Sequence, residues 1–229
     1  MKQNILTIIG VAIIAVMLFF PLPKIMIYIL FGVDAAVLVV TGFICIIQRI
    51  KGKKTLWLPR FVLFWTLATL SIVISVGRII LTTENQNMSA SFFSKEPSNK
   101  NLIISIFVFL LLTAADFIQL GFCKKRLKDE WENIKDKGIK DEIEFYGNLD
   151  GSFKFLSGLL AFILFITVVI FLGRSLVDNT QFNLAMNIAL KKNLILAMDI
   201  SIIIQALITL CSFICSLCVD SKEENRMEV

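Results

Sequence analysis

The chain has 229 residues, of which 57% are hydrophobic and 18% are charged, and its mean hydropathy is +0.81. These values exclude an ordinary soluble domain, which is about 45–50% apolar and about 25% charged, and they predict an integral membrane protein. The net charge of +5 does not indicate nucleic-acid binding. The basic residues flank apolar segments, where they favour contact with anionic lipid.

Six apolar blocks follow one another along the chain, and most are near or above the roughly 20 residues that cross a hydrocarbon core. They cover residues 5–20, 25–47, 56–81, 102–123, 155–172 and 194–219. The first block is the shortest, but Pro21 and Pro23 follow it instead of a small-residue cleavage site, so we interpret it as a retained span. The prediction is an all-α, polytopic transmembrane helical bundle with about six spans.

The Lys and Arg residues between the blocks fall mostly into alternate gaps. With the N-terminus inside, most of the 23 basic residues lie in the cytoplasmic segments, and few lie in the outer loops at 82–101 and 173–193. This bias predicts that both termini are cytoplasmic. The chain then divides into spans one to four, a cytoplasmic amphipathic loop, spans five and six, and a short cytoplasmic tail, at residues 1–123, 124–154, 155–219 and 220–229.

The cytoplasmic loop has two halves of different character. Residues 124–143 alternate acids and bases, with apolar residues along one side, and predict one or two short amphipathic helices broken at Gly138. In the second half, Gly147, Asp150 and Gly151 are residues typical of tight turns, and aromatic residues flank them at the membrane entrance. The residues alone therefore predict a re-entrant corner there.

Four charged residues lie inside apolar blocks: Asp34, Arg78, Asp116 and Asp199. A charge at mid-span costs about 2.5–3.5 kcal/mol on insertion scales, so such residues are usually paired or line a wet cavity. From the helical rise we expect Arg78 to pair with Asp34 or Asp199, which leaves Asp116 without a basic partner in the spans. Asp199 could relay protons or join helices as a neutral acid; for Asp34 we favour the second role.

No feature of the sequence predicts an enzyme, a metal site or a cofactor. The chain has no histidine, which is the commonest general base and metal ligand, and it has no nucleotide-binding or nucleophile-elbow motif. We interpret the cysteines as packing residues within the spans instead of as a disulfide or metal set. They are Cys45, Cys123, Cys211, Cys215 and Cys218.

The second half of the loop resembles a segment of the FHIPEP family, the large export-gate proteins of flagellar and injectisome type III secretion. The family segment reads D-F-Y-G-x-M-D-G-x-x-K-F and likewise lies between the fourth and fifth spans. The identities are Phe145, Tyr146, Gly147, Asp150, Gly151, Lys154 and Phe155. This is the most specific part of a resemblance that extends at low identity through most of the chain.

Three other spans are similar to the same family. The span from Pro59 resembles one that begins at a proline and ends in N-V-A-S-T-R-x-x-L, which places Arg78 on the family's arginine. The span that contains Asp116 resembles the family's fourth, where a neutral amide is usual. The last span resembles one that opens L-T-I-G-D, which places Asp199 on the family's membrane aspartate.

The chain also departs from the family pattern. The family's two further spans and large cytoplasmic cargo-docking domain have no counterpart in these 229 residues. Leu159 stands where the family has an aspartate, and Thr69 stands where it has a second intramembrane arginine. We therefore expect a divergent, shortened relative.

The resemblance implies a protein of the bacterial cytoplasmic (inner) membrane that belongs to a type III protein-export apparatus. Copies of the chain would form a homo-oligomeric ring. This ring would assemble with other membrane subunits of the apparatus. Asp199 would take up protons, Arg78 would tune its acidity, and the segment with Asp150 and Lys154 would transmit the change. Two alternatives stay open: a degenerate relative that is a structural or regulatory membrane subunit without transport, and, less favoured for lack of an internal repeat, an ion or small-solute transporter.

Overall fold

A computed structural model describes residues 24–51, 55–82, 98–135 and 140–219. In these ranges the chain forms five helices, each long and apolar enough to cross a membrane, and no strand. They are α1 (Lys24–Ile50), α2 (Leu58–Thr82), α3 (Asn99–Lys135), α4 (Lys140–Phe182) and α5 (Met186–Val219). The prediction of an all-helical, multi-pass membrane protein is confirmed. The first apolar block and the C-terminal tail lie outside the described residues.

Successive helices run in opposite directions. The contacts Ser105 to Asp199 and Cys123 to Ser212 advance together along α3 and α5, so these two helices are parallel. The contacts of Thr167 with Ser201 and of Asp178 with Asn193 run in opposite order, so α4 is antiparallel to α5. This alternation is what a chain that crosses a membrane repeatedly requires.

Helix α5 is the common partner of the bundle, because it packs against all four other described helices. The core along it contains fully buried aliphatic side chains such as Leu38, Ile163 and Ile208. Large apolar side chains on α1 and α3, including Phe43 and Phe107, are exposed instead. An exposed apolar belt of this kind suits a lipid environment and not water.

The bundle has two chemically different ends, which we call the basic end and the distal end. The basic end contains Arg49 of α1, Arg60 of α2 and Lys154 of α4. The distal end contains the connection between α4 and α5. At the basic end α2 begins with Leu58-Pro59. Proline is tolerated here because backbone N–H groups in the first turn of a helix have no carbonyl partner within the helix, so no hydrogen bond is lost.

The predicted re-entrant corner is wrong, because α4 runs without interruption from Lys140 through the whole segment. Phe145, Leu149 and Phe153 recur one helical turn apart and are buried against the bundle. Asp150 and Lys154 add an i,i+4 ion pair at 2.7 Å. Burial of this face thus outweighs the turn preference of the glycines. The predicted break at Gly138 falls on residues 136–139, which are outside the described ranges and lie between the end of α3 and the start of α4.

The predicted outer loop at 173–193 is also wrong in length, since only residues 183–185 separate α4 from α5. Asn183 has a φ of 50°, a left-handed conformation that asparagine tolerates and that commonly ends a helix. The Asn179 Nδ2 donates to the carbonyl oxygen of Leu184 at 2.9 Å and closes the turn. Both helices therefore extend past their apolar blocks.

The helical state of the 147–154 segment predicts that Gly147→Ala and Gly151→Ala stabilise the protein. A Cβ at either position would have no heavy atom within 4 Å, and neither residue has a positive φ. Replacing a helical glycine by alanine should therefore raise the free energy of unfolding by about 0.5–1 kcal/mol. Thermal unfolding in detergent checks this, with Gly121→Ala in α3 as the matched control at an equally open helical glycine. A lower unfolding temperature for both variants, together with a higher one for the control, would contradict the helical structure of residues 147–154.

Candidate functional site

Polar side chains recur along the contact between α3 and α5, which we call the α3–α5 seam. It consists of Ser105, Thr113, Asp116, Gln119 and Cys123 on α3 and Asp199, Gln205, Thr209 and Ser212 on α5. Within each helix these residues recur mostly at spacings of three or four, which places them on one face. From Asp199 to Ser212 the seam is about 20 Å long, or two thirds of a hydrocarbon core of about 30 Å.

Two carboxyl groups of the seam each accept a hydrogen bond from a hydroxyl group of the other helix. The Ser105 Oγ donates to Asp199 Oδ1 at 3.0 Å, and the Thr209 Oγ1 donates to Asp116 Oδ1 at 2.6 Å. Both aspartates are almost completely buried. In apolar surroundings such bonds join the two helices.

Amide side chains complete the middle of the seam. The Gln205 Nε2 donates to Thr113 Oγ1 at 2.7 Å, and the Gln119 Nε2 donates to the carbonyl oxygen of Thr209 at 3.3 Å. Thr209 thus contacts two residues of α3. Gln205, Thr209 and their partners on α3 therefore form a network, whereas Ser105 and Asp199 form a separate pair at the distal side of it.

Three buried oxygens of the seam have no hydrogen-bond donor among the described residues: Asp116 Oδ2, Asp199 Oδ2 and Gln205 Oε1. A buried carboxylate left in this state is costly, because the low dielectric penalises an unpaired charge. A proton on the open oxygen removes the charge and supplies a donor. The seam therefore contains two carboxyl oxygens on which a proton could reside.

Asp34 lies in a different interface from the other two aspartates. It is buried between α1 and α2, where its Oδ2 accepts a hydrogen bond from Thr69 Oγ1 at 3.1 Å. This hydrogen bond joins α1 to α2.

Arg78 lies half-buried on α2. The carboxyl groups of Asp34 and Asp199 accept hydrogen bonds from the hydroxyl groups of Thr69 and Ser105 on neighbouring helices. The pairing of Arg78 with one of these carboxyls stays a prediction. For Asp116, the described partner is likewise a hydroxyl group.

The segment with Asp150 and Lys154, which by the family resemblance would transmit proton uptake to export, lies far from Asp199. Thr167 contacts Ser201, one turn or less from Asp199, and Asp150 lies 17 residues earlier on α4, about 25 Å along the helix. Phe145 and Tyr146 are buried there with their rings edge to face at 5.2 Å. The Ser152 Oγ joins the segment to the start of α2 through the carbonyl oxygen of Pro59 at 2.8 Å.

A second buried polar cluster, which the sequence analysis placed in an outer loop, lies at the distal end. The Arg174 Nε and Asp178 Oδ1 are 2.9 Å apart, and the Arg174 Nη1 donates to the carbonyl oxygen of Ile80 at the end of α2, also at 2.9 Å. The Asn193 Nδ2 of α5 donates to Asp178 Oδ2 at 3.0 Å. The i,i+4 spacing of Arg174 and Asp178 just after an apolar block is the signal that could have identified the pair.

The described residues offer no grouping of three or more Cys, Asp or Glu side chains that could hold a metal ion. The cysteines at positions 45, 123, 211, 215 and 218 are free thiols. Comparison with protein-family models, with curated proteins and with solved structures finds no match. The fold and the seam thus define a multi-pass α-helical membrane protein with buried carboxyl groups, and the resemblance to the export-gate family stays a prediction.

The distal cluster predicts a large cost for the loss of Arg174. In Arg174→Met the buried Asp178 keeps Asn193 and the Lys192 ammonium at 3.9 Å but loses the closer guanidinium, so the free energy of unfolding should fall by about 3 kcal/mol. The double variant Arg174→Met/Asp178→Leu should recover part of that loss, because it removes the buried carboxylate together with the guanidinium. Thermal and denaturant unfolding in detergent measure both variants.

The matched control for this prediction is Lys128→Met. It breaks another i,i+4 pair, Lys128 with Glu132 at 3.8 Å, whose side chains are 74% and 60% exposed. An exposed pair of this kind contributes at most about 0.5 kcal/mol. Equal and small losses for Arg174→Met and Lys128→Met would show that the distal cluster does not hold the three helices together.

Proposed function

We propose that the protein is a membrane subunit of a bacterial protein-export apparatus and that proton uptake by the α3–α5 seam drives a movement of its helices. The observation that carries the proposal is the pair of buried aspartates, Asp116 and Asp199, each with one oxygen held by a hydroxyl group and the other open. The motif resemblance at residues 145–155 supports the choice of apparatus. The exposed apolar belt supports a membrane location.

We infer that the basic end faces the cytoplasm. Basic residues collect at this end of the described helices, as the positive-inside rule requires. They include Arg49, Lys51, Arg60, Lys124, Lys125, Arg126 and Lys154. This orientation makes both termini cytoplasmic if residues 5–20 form a further span, for a total of six.

Asp199 lies on the proposed entry side of the proton path. It is 13 residues from the start of α5 at the distal end, about 20 Å along the helix, and Asp116 lies roughly two to three turns nearer the basic end. A proton that enters from the distal side would reach Asp199 first. Protonation changes the second oxygen from an acceptor that needs a donor into a group that can donate.

The change at Asp199 has a short route into α4. Ser201, two residues after Asp199, makes a hydrogen bond with Thr167 of α4 and also donates to the carbonyl oxygen of Ala197. Since α4 is continuous from Thr167 to the segment with Asp150 and Lys154, a tilt or rotation of α4 would move that segment at the basic end. Transmission through a rigid helix replaces the flexible corner that the sequence predicted.

A second candidate function is a structural or regulatory subunit without transport. The hydroxyl partners of Asp34, Asp116 and Asp199 favour it, since a carboxyl bonded in this way can join helices as a neutral acid. Leu159, which stands where the family has an aspartate, is a buried core residue. This reading needs no proton to move.

Asp199→Asn separates the two functions. The amide keeps a hydrogen-bond acceptor for Ser105 and cannot exchange a proton, so we expect export to fall at least tenfold while the protein stays assembled. The measurement compares proteins released into the medium by cells that carry the natural gene or the variant. Native-level tagging and mass determination of the intact particle report assembly.

The matched control is Asp34→Asn, which makes the same chemical change at the α1–α2 interface. Export at the natural level in Asp34→Asn and loss of export in Asp199→Asn would support the relay. Natural export in Asp199→Asn with intact assembly would eliminate the relay. Loss of assembly in Asp199→Asn would support the structural subunit instead.

A further inference from the structure

An apolar groove runs along the outside of the bundle between α2 and α4. Its volume is about 410 Å³, and its walls are almost entirely apolar. The residues that matter here are Thr66, Leu70 and Ile74 of α2 and Phe155, Gly158 and Phe162 of α4, with Lys154 at one end. Phe155 is 54% exposed, so no described helix covers this side of the groove.

The groove has the depth of one leaflet. Lys154 is the last charged residue before the apolar run of α4, which places it at the level of the lipid headgroups. Phe162, at the far end on this helix, lies eight residues later, about 12 Å along the axis, close to half of a hydrocarbon core of about 30 Å. The long axis of the groove is thus aligned with an acyl chain of that leaflet.

Two cations lie at the level of the headgroup end of the groove: Lys154 in its lining, and Arg60 on α2 outside the lining. Lys154 is 71% exposed and uses one of its three donors on Asp150. Arg60 is exposed and follows Pro59, whose carbonyl oxygen accepts the hydroxyl of Ser152, so Arg60 and Lys154 lie at the same level of the bundle. Asp150 is the ion-pair partner of Lys154, so Lys154, Arg60 and Asp150 together carry a net positive charge.

Aromatic residues mark the same level of the membrane. Trp57 is 37% exposed and contacts Phe61 edge to face, with ring centroids 5.8 Å apart. Tryptophan is enriched at the boundary between headgroups and acyl chains. This placement agrees with Lys154 and Arg60 at the headgroups and with the groove below them.

Gly158 keeps the groove open. A Cβ built on Gly158 would meet no heavy atom within 4 Å, so the space above this residue is empty. Gly158 also lines the groove, so a larger side chain here would project into the groove. The position therefore offers a variant that blocks the groove, and thermal unfolding shows whether the variant keeps its fold.

We propose that the groove binds one anionic phospholipid of the leaflet at the basic end. An acyl chain lies along the apolar walls of α2 and α4, and the phosphate accepts hydrogen bonds from Lys154 and Arg60. The apolar walls select a chain, and the two cations select a negative headgroup over a zwitterionic one. This inference does not depend on the proposed export function.

Native mass spectrometry of the delipidated protein tests the proposal. Phosphatidylglycerol and phosphatidylcholine with identical acyl chains are titrated separately, and the dissociation constant of the first bound lipid is measured for each. The natural protein should hold one phosphatidylglycerol at least roughly fivefold more tightly than phosphatidylcholine, as expected from one Lys or Arg near the headgroups. Inorganic phosphate, which has no acyl chain, should not displace it.

Three variants locate the bound lipid. Gly158→Leu should abolish the tight phosphatidylglycerol adduct, and Lys154→Gln should weaken it roughly fivefold with no change for phosphatidylcholine. Gly121→Leu, at another exposed and open glycine on α3, should bind like the natural protein. Thermal unfolding of each variant verifies that it is folded.

Two results would overturn the proposal. Equal affinity for the two lipids in the natural protein would mean that Lys154 and Arg60 do not select a headgroup. Tight phosphatidylglycerol binding in a folded Gly158→Leu variant would place the lipid elsewhere on the protein. Neither result bears on export, because both are measured on the purified chain alone.

Discussion

Hydrogen bonds between polar side chains of α3 and α5 are the interaction on which this bundle depends. Lipid chains are as apolar as leucine, so helices in a membrane gain little from burying aliphatic surface against one another. Asp199 and Asp116 instead bind hydroxyl groups of the facing helix. In the proposed function the same residues that join the helices would also respond to a proton, so stability and function would share one seam.

Helix α5 connects the seam to the rest of the bundle. It contacts all the other described helices, and at the distal end Asn193 ties it to the Arg174 and Asp178 pair on α4. Arg174 in turn binds the last turn of α2 through Ile80. The distal cluster thus connects α2, α4 and α5. In the proposed function a tilt of α4 about this cluster would move the basic end of α4 most, because that end is farthest from the cluster.

The number and apolar character of the described spans could be predicted from hydropathy, because crossing lipid requires long apolar runs whatever the tertiary packing. The ends of the helices could not. The segment with Gly147 and Gly151 has turn-forming residues, but burial of Phe145 and Leu149 on one helical face decides its structure. Only part of the seam could be predicted from the sequence. Its aspartates stand out because a charge in lipid is costly. Their partners Ser105 and Thr209 are common residues that only the packing of the helices identifies.

The central claim is that Asp199 and Asp116 change their protonation within the folded bundle. Infrared difference spectroscopy of the protein in lipid, recorded between acidic and alkaline buffer, reports carboxyl groups directly through the carbonyl stretch of the protonated form. Our account predicts a carbonyl band that changes with pH and that loses one component in Asp199→Asn and another in Asp116→Asn. A spectrum in which neither variant removes a pH-dependent carboxyl band would contradict it and leave the aspartates as fixed links between helices.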